Sequence, residues 1–213
     1  MDDEHSALGF ERVVFFSDGV FAIVITLLVL PLTGEIRLPE GAGTAAQVVA
    51  MLPRIVTFVV SFLVVGQFWI AHRRTFGRIR RTDPGLVWLN LLTLLTVAFM
   101  PFPAALLGAR TSGSHDQFAV VFFAASMTLT SALFTVTWLY AWRRRLADPD
   151  VGAIEARSLT LRGLVSTAVI AVSVPAALLG LPVAVAIWLG VLPAARRLAG
   201  RRARPSPTPA PYR

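Results

Sequence analysis

The sequence contains no cysteine, which excludes disulfide bonds, thiolate metal sites and a cysteine nucleophile. It also contains no lysine, so all 20 basic residues are arginines, and the net charge of +8 is carried by guanidinium groups that stay protonated at any physiological pH. Charged residues make up only 15% of the chain, against 55% for hydrophobic residues, and the mean hydropathy is +0.68. A water-soluble domain of this length carries far more charge, so the composition predicts an integral membrane protein.

Patterns that would support enzymatic chemistry are missing too. The three histidines, His5, His72 and His115, lie in unrelated segments without the spacing of metal ligands. There is no Gly-x-Ser-x-Gly motif and no pair of carboxylates within an apolar segment. The arginines are confined to short stretches between apolar runs, which argues against a nucleic-acid partner. We therefore predict neither an enzyme nor a bound cofactor, metal ion or nucleic acid.

Long apolar runs are what the sequence has in abundance. A hydrocarbon core about 30 Å thick needs about 20 apolar residues of helix. Six candidate segments follow, at residues 13–32, 48–71, 86–107, 118–141, 164–179 and 181–192. The last two are short and rich in proline, and one kinked span is an alternative to two helices. Because Leu179-Gly180-Leu181-Pro182 is typical of a tight hairpin, we predict an all-α protein with six transmembrane helices.

The arginines predict the orientation of these helices. With the amino terminus in the cytoplasm, 17 of the 20 arginines fall in cytoplasmic segments, and only Arg37, Arg54 and Arg110 fall outside. Both termini are then cytoplasmic in a bacterial inner (plasma) membrane. Residues 1–199 are expected to form one six-helix transmembrane domain, and residues 200–213 an Arg- and Pro-rich cytoplasmic tail without regular structure.

The first apolar segment differs from the others in its polar residues. Asp18 is the acidic residue that lies well inside an apolar segment, which makes it a functional candidate, although a carboxylate that only locks helices together is an equal alternative. At about 100° per residue, a single stripe on another face of the helix is formed by Ile23, Thr26, Leu27 and Leu30. On periodicity alone, this stripe fits ordinary core or lipid-facing side chains better than a pore lining.

The same segment carries a long motif. It reads Arg12-x-x-x-Phe16-Ser17-Asp18-Gly19-Val20-Phe21-Ala22-Ile23-x-x-Thr26, and it is followed by Phe68-Trp69-x-x-His72 in the second segment and Trp88-x-Asn90 in the third. This pattern resembles the bacterial branch of the transmembrane protein 175 potassium-channel family. The likeness covers about the first half of the chain and says little about segments four to six.

The resemblance implies a potassium-permeable channel that is a homotetramer, with the first helix of each subunit lining a central pore. A hydrophobic constriction would be formed by Ile23, Leu27 and Leu30, with Thr26 adding a ring of hydroxyl oxygens. A polar network for assembly and gating would be built from the motif residues Arg12, Phe16, Ser17, Asp18, Gly19, Trp69, His72 and Asn90. The implied partners are further copies of the chain, membrane lipids and permeant potassium ions.

Two other functions remain open at this stage. A secondary transporter would also be polytopic, but such proteins usually have broken helices and charged sites near the membrane midplane. A non-conducting membrane scaffold is the second alternative. For His72, a plain interfacial histidine beside the arginines is the alternative to a network role.

Overall fold

The protein is a bundle of helices, seen in a computed structural model that describes residues 2–33, 43–109, 116–176, 181–195 and 197. Its elements are α1 (Asp2–Leu27), a 3-10 turn (Leu30–Thr33), α2 (Thr44–Phe76), α3 (Pro84–Phe99), α4 (Pro101–Gly108), α5 (Asp116–Arg143), α6 (Ala153–Ala176), and α7 (Leu181–Ala186), which continues as a π-helical turn (Ile187–Val191). The predicted tail at residues 200–213 lies outside the described residues, as do residues 179 and 180 of the predicted hairpin, whereas Leu181 and Pro182 begin α7.

Five of the described helical segments are long and apolar enough to cross a membrane, judged by length and composition. They are Gly9–Thr33, Thr44–Phe76, Pro84–Gly108, Gln117–Arg143 and Ala153–Ala176. A sixth apolar helix, Pro182–Ala195, is shorter. The prediction of an all-α protein with six apolar helical segments is therefore confirmed, with the last one too short to cross a full bilayer without help from its neighbours.

The third apolar segment is divided into α3 and α4 at Met100. Pro101 has no backbone N–H, so it cannot continue the hydrogen-bond ladder of α3, but it suits the first position of the next helix. At its other end, α3 begins where the Asp83 carboxylate accepts a hydrogen bond of 2.7 Å from the Leu86 N–H, a typical N-cap.

The core contains side chains of every described helix, with the largest shares from α2 and α5, and α1 packs against α2 and α3 on one side. The most extensive pairing is that of α5 with α6. Close approach of these two helices depends on Gly163, because a methyl group there would meet the Thr135 hydroxyl at 2.9 Å. The last helix is held by Trp188, whose indole N–H donates to the Ser173 hydroxyl at 2.9 Å and whose ring packs on Phe123.

Candidate functional site

The first helix has two different faces in the single subunit. One face is buried against α2 and α3, and its side chains recur every three or four residues: Ser17, Phe21, Val24 and Leu28. The opposite face is open. There, Ile23 is 60% exposed, Leu27 39% and Leu30 57%, and Thr26 is exposed between them. The stripe predicted from periodicity thus lies outside the subunit core, on the free side of α1 and of the 3-10 turn that follows it.

The hydroxyl group of Thr26 has a defined orientation on this free face. It donates a hydrogen bond of 2.7 Å to the backbone carbonyl of Ile23, one turn earlier. Its single hydrogen is therefore used within the helix. The oxygen lone pairs stay available to a group that approaches from outside the subunit, and such a group must be a donor or a cation.

On the buried side of α1, a chain of hydrogen bonds crosses three helices. His72 on α2 lies 3.0 Å from the amide oxygen of Asn90 on α3, and the amide nitrogen of Asn90 donates to the Ser17 hydroxyl on α1, also at 3.0 Å. The Ser17 hydroxyl donates in turn to the Val13 carbonyl at 2.8 Å. Because an amide oxygen can only accept, the proton in the first contact belongs to His72 Nε2.

A second contact runs beside this chain. The indole N–H of Trp69 on α2 donates to the Asp18 carboxylate on α1 at 2.9 Å. The guanidinium of Arg73 lies over the same indole ring, 5.8 Å from its centre. Asp18 therefore has a specific partner on a neighbouring helix. This hydrogen bond lowers the cost of placing a carboxylate inside an apolar helix.

Aromatic rings enclose the imidazole of His72. The ring of Phe76 stacks on it at 4.2 Å between centroids, and Phe21 and Phe134 approach at 5.5 and 6.0 Å. His72 is fully buried, and its Nδ1 has no hydrogen-bond partner among the described residues. His72 is thus a residue of the protein core, whereas the alternative of a plain interfacial histidine would place it at the surface.

The structure joins five of the motif residues by these contacts, and we call them the polar network: Ser17, Asp18, Trp69, His72 and Asn90. The other three motif residues, Arg12, Phe16 and Gly19, lie on the exposed side of α1. Within the described part of the chain, no hydrogen bond joins Arg12 to the network. Because these three face away from the subunit core, any contact that they make in a network must come from outside this subunit.

The end of the bundle that is rich in arginine contains a feature that no sequence motif indicates. The loops of residues 77–83 and 144–152 form an antiparallel bridge between Ile79 and Ala147. The N–H groups of Arg80 and Arg81 donate to the Leu146 carbonyl at 3.0 and 3.2 Å. We call this pair of loops the loop clasp.

Ion pairs reinforce the loop clasp. Arg80 binds Asp148 at 2.6 Å and Arg78 binds Glu155 at 2.8 Å. For Asp83, burial alone would raise the pKa, but hydrogen bonds from the Leu86 N–H and the Tyr140 hydroxyl, together with Arg144, hold the pKa of this carboxyl below its usual value. Sequence reasoning missed these pairs because they join residues more than 50 positions apart, and at least one partner of each pair lies in a loop without a regular pattern.

Within the described residues, no group of three or more histidine or acidic side chains is placed to hold a metal ion. The arrangement therefore offers an apolar, outward-facing stripe with one hydroxyl, and behind it a polar network that fixes α1 to α2 and α3. Such a site can restrict or admit water and small cations.

Comparisons with known proteins point to one family. The sequence profile described as endosomal/lysosomal potassium channel TMEM175 matches residues 12–101. A potassium channel of Streptomyces collinus is 38% identical over 158 residues, which are 71% of this chain and 74% of that protein. A potassium channel of Chamaesiphon minutus is 35% identical over 135 residues, which are 61% of this chain and 64% of that protein.

A solved structure is similar over nearly its whole length. The crystal structure of a lysosomal potassium-selective channel TMEM175 homolog from Chamaesiphon minutus matches with a TM-score of 0.75 and 26% sequence identity, covering 90% of this chain and 98% of that chain. The profile match begins in α1 and ends where α4 starts, so it contains every residue of the polar network.

Proposed function

Because the chain belongs to the TMEM175 family of potassium channels, we propose that it forms a potassium-permeable channel in which α1 of each of four identical subunits lines a central pore. The observation that carries this proposal is the free face of α1. One helix cannot enclose an axis, but four copies related by rotation can bring their four stripes together. Each subunit would then supply one helix of the pore wall, and the pore would exist only in the tetramer.

The composition of the stripe suits a pore constriction. Rings of Ile23, Leu27 and Leu30 would narrow the axis and make it unfavourable to water, so that the channel closes by dewetting and opens when the rings move apart. At Thr26 the ring of hydroxyl oxygens would face the passing ion as acceptors, because each hydroxyl hydrogen is bound to its own helix. Potassium gives up its hydration water more readily than sodium, which would favour potassium at such a ring.

The polar network would set the position of α1 around the axis. It ties the buried side of α1 to α2 and α3 through Ser17 and Asp18, so the stripe on the other side is held at a fixed rotation. Arg12, Phe16 and Gly19, which face outward near the same end of α1, would contact neighbouring subunits. Their role would be assembly and gating rather than coordination of ions.

The loop clasp and the arginines around it would lie on the cytoplasmic side of a bacterial plasma membrane. The support is the excess of arginine at that end of the bundle, since positively charged loops stay in the cytoplasm. The partners of the chain would be three further copies, membrane lipids and permeant potassium ions, and its activity would be transport without chemical conversion.

The test is potassium flux into liposomes that contain the purified protein, with Ile23→Asn compared to wild type. A polar side chain in the constriction should keep it hydrated, so we expect a several-fold higher potassium flux and a weaker preference for potassium over sodium. The matched control is Val172→Asn on α6, which changes an equally exposed side chain, 64% against 60%, away from α1.

Two results would contradict the proposal. The first is an unchanged flux through Ile23→Asn when the variant has the same oligomer size as wild type. The second is a strictly monomeric protein in mild detergent, because a single α1 cannot line a pore.

A further inference from the structure

A cavity of about 90 Å³ lies between α2, α5 and α6, close to the arginine-rich end of the bundle. It is much larger than the roughly 10–15 Å³ that one water molecule requires by this measure. It shares no lining residue with the free face of α1 or with the polar network, although Phe134 both lines the cavity and packs near His72. Its wall is mainly apolar, with Phe68, Phe134 and Trp138, and its polar part includes Arg74, Arg162 and Ser131.

The charges in this wall all have one sign. Arg74 on α2 and Arg162 on α6 both line the cavity, and its lining residues include no aspartate or glutamate. The Nε atom of Arg162 is buried and has no hydrogen-bond partner among the described residues. A buried donor without a partner is costly, and the cost is greater for a charged group. The lining thus contains neutral acceptors, such as the Gln67 amide, but no anion to neutralise its two arginines, and Arg162 Nε has no acceptor among the described residues.

The hydroxyl groups in the wall could bind an anion, but they carry no negative charge and so cannot neutralise the arginines. The hydroxyls of Ser131 and Thr135 lie 3.1 and 3.2 Å from the Thr167 hydroxyl, and Thr135 also donates to the Ser131 carbonyl. These hydroxyls are directed to each other and to the helix backbone rather than to a carboxylate. They make the wall polar without neutralising it.

The cavity lies near the arginine-rich ends of α2 and α5, where we expect the boundary between headgroups and acyl chains. Arg74 precedes the end of α2 by two residues, and Trp138 precedes the end of α5 by five. At about 1.5 Å per residue, these positions are about 3 Å and about 8 Å from the helix ends. Tryptophan side chains are enriched at this level of a membrane, and Trp138 donates to the Thr160 hydroxyl while its ring lines the cavity.

We propose that this cavity binds the phosphate group of an anionic phospholipid, with Arg162 and Arg74 as its cationic ligands. Phosphate fits because its oxygens accept the paired N–H groups of a guanidinium. A lipid fits better than a free anion because the aromatic and aliphatic side chains, which form most of the wall, would pack against the glycerol and the first carbons of the acyl chains. Basic pockets between membrane helices are known to bind such headgroups. The proposal goes beyond ion conduction and does not rest on it.

The test measures the thermal unfolding midpoint of the full chain, purified in a neutral detergent, as ligand is added. Dioctanoyl phosphatidylglycerol is the probe, and dioctanoyl phosphatidylcholine and inorganic phosphate are the comparison ligands. We expect phosphatidylglycerol alone to raise the midpoint in a saturable manner. Loss of a charge-assisted hydrogen bond in Arg162→Gln should weaken its apparent affinity about tenfold or more.

The matched control is Arg157→Gln, which removes an exposed arginine from the same helix outside the cavity. It should respond to phosphatidylglycerol like wild type. If Arg162→Gln does not fold, Arg74→Gln tests the same site from α2 and should also weaken binding.

Three outcomes would overturn the proposal. An equal shift with phosphatidylcholine would show that only the apolar wall binds. An equal loss in Arg157→Gln would show a general effect of charge. A shift with inorganic phosphate as large as that with phosphatidylglycerol would reject a lipid as the occupant, because the acyl chains would then contribute nothing.

Discussion

Replacing Asn90 with alanine tests the polar network at the residue that hydrogen-bonds to α1 and α2 at once. The change removes the acceptor of His72 Nε2 and the donor to Ser17. Ser17 keeps its own bond to the Val13 carbonyl, so its oxygen loses only one partner. His72 would lose its last hydrogen bond, since its Nδ1 already lacks a partner among the described residues and its Nε2 would then lack one as well.

The expected loss of stability follows from this difference. A buried donor left without an acceptor costs about 1–3 kcal/mol. Hydrogen bonds between membrane helices contribute less on average, about 0.6 kcal/mol, with about 1.7 kcal/mol as the largest value measured in one well-studied protein. His72 and Asn90 are both buried almost completely. We therefore expect a coupling energy between them of about 1–2 kcal/mol, which is above the average for membrane helices and within the cost of an unpaired buried donor.

The assay is equilibrium unfolding by sodium dodecyl sulfate of the protein in neutral detergent, followed by tryptophan fluorescence. A double-mutant cycle combines Asn90→Ala with His72→Phe, since phenylalanine retains a ring that can stack on Phe76. The control is Ser126→Ala, which removes a hydroxyl whose one hydrogen bond among the described residues is to the Phe122 carbonyl of its own helix, and which should change the unfolding free energy little.

Additivity would refute this reasoning. If Asn90→Ala lowers the unfolding free energy by the same amount in the His72→Phe background as in wild type, the contact between the two side chains contributes nothing to stability. The network would then result from the packing of the helices and would not determine their positions. A coupling of the opposite sign would have the same meaning.

Further predictions concern the free face of α1 and the start of α3. In proteoliposomes, Thr26→Val should lower the permeability ratio of potassium to sodium, because it removes the oxygen that faces outward; an unchanged ratio would reject the hydroxyl ring. Asp83→Ala removes the N-cap of α3 and should lower the unfolding free energy at neutral pH by about 0.5–2 kcal/mol. The pKa of Asp83 is lower in the folded protein than its ordinary value of 3.8. Its contribution to the unfolding free energy is therefore complete above pH 3.8 and is lost as the pH falls through the folded-state pKa. Below that pH, the difference in stability between Asp83→Ala and wild type should disappear.

Hydropathy predicted which parts of the chain are apolar helices but not where those helices end. Helix α6 begins at Ala153, 11 residues before the predicted start at 164, because Glu155, Arg157 and Arg162 lower the hydropathy of a segment that is nevertheless helical. Likewise, α2 continues through Arg73 and Arg74 to Phe76. A helix can extend past the bilayer, and apolar content alone does not report that extension.

Apart from Asp18, which stood out as an acidic residue inside an apolar segment, the residues of the polar network were predicted only through the family motif. Their spacing along the chain does not reveal that Asn90 lies between Ser17 and His72, since those contacts depend on how three helices pack. The stacking of Phe76 on His72, the pair of Asp83 with Tyr140 and the cavity between α2, α5 and α6 belong to no motif, so only the three-dimensional structure revealed them.

The loop clasp has a consequence for motion within the subunit. It fastens the connection between α2 and α3 to the connection between α5 and α6, through backbone hydrogen bonds as well as ion pairs. A change of tilt in one of these four helices must therefore be transmitted to the other three at that end. Helix α1 does not take part in the bridge itself, but its Phe10 packs against the buried cluster that contains Ile79 and Leu146 at the same end. We therefore expect α1 to follow a change of tilt in these four helices rather than to move separately.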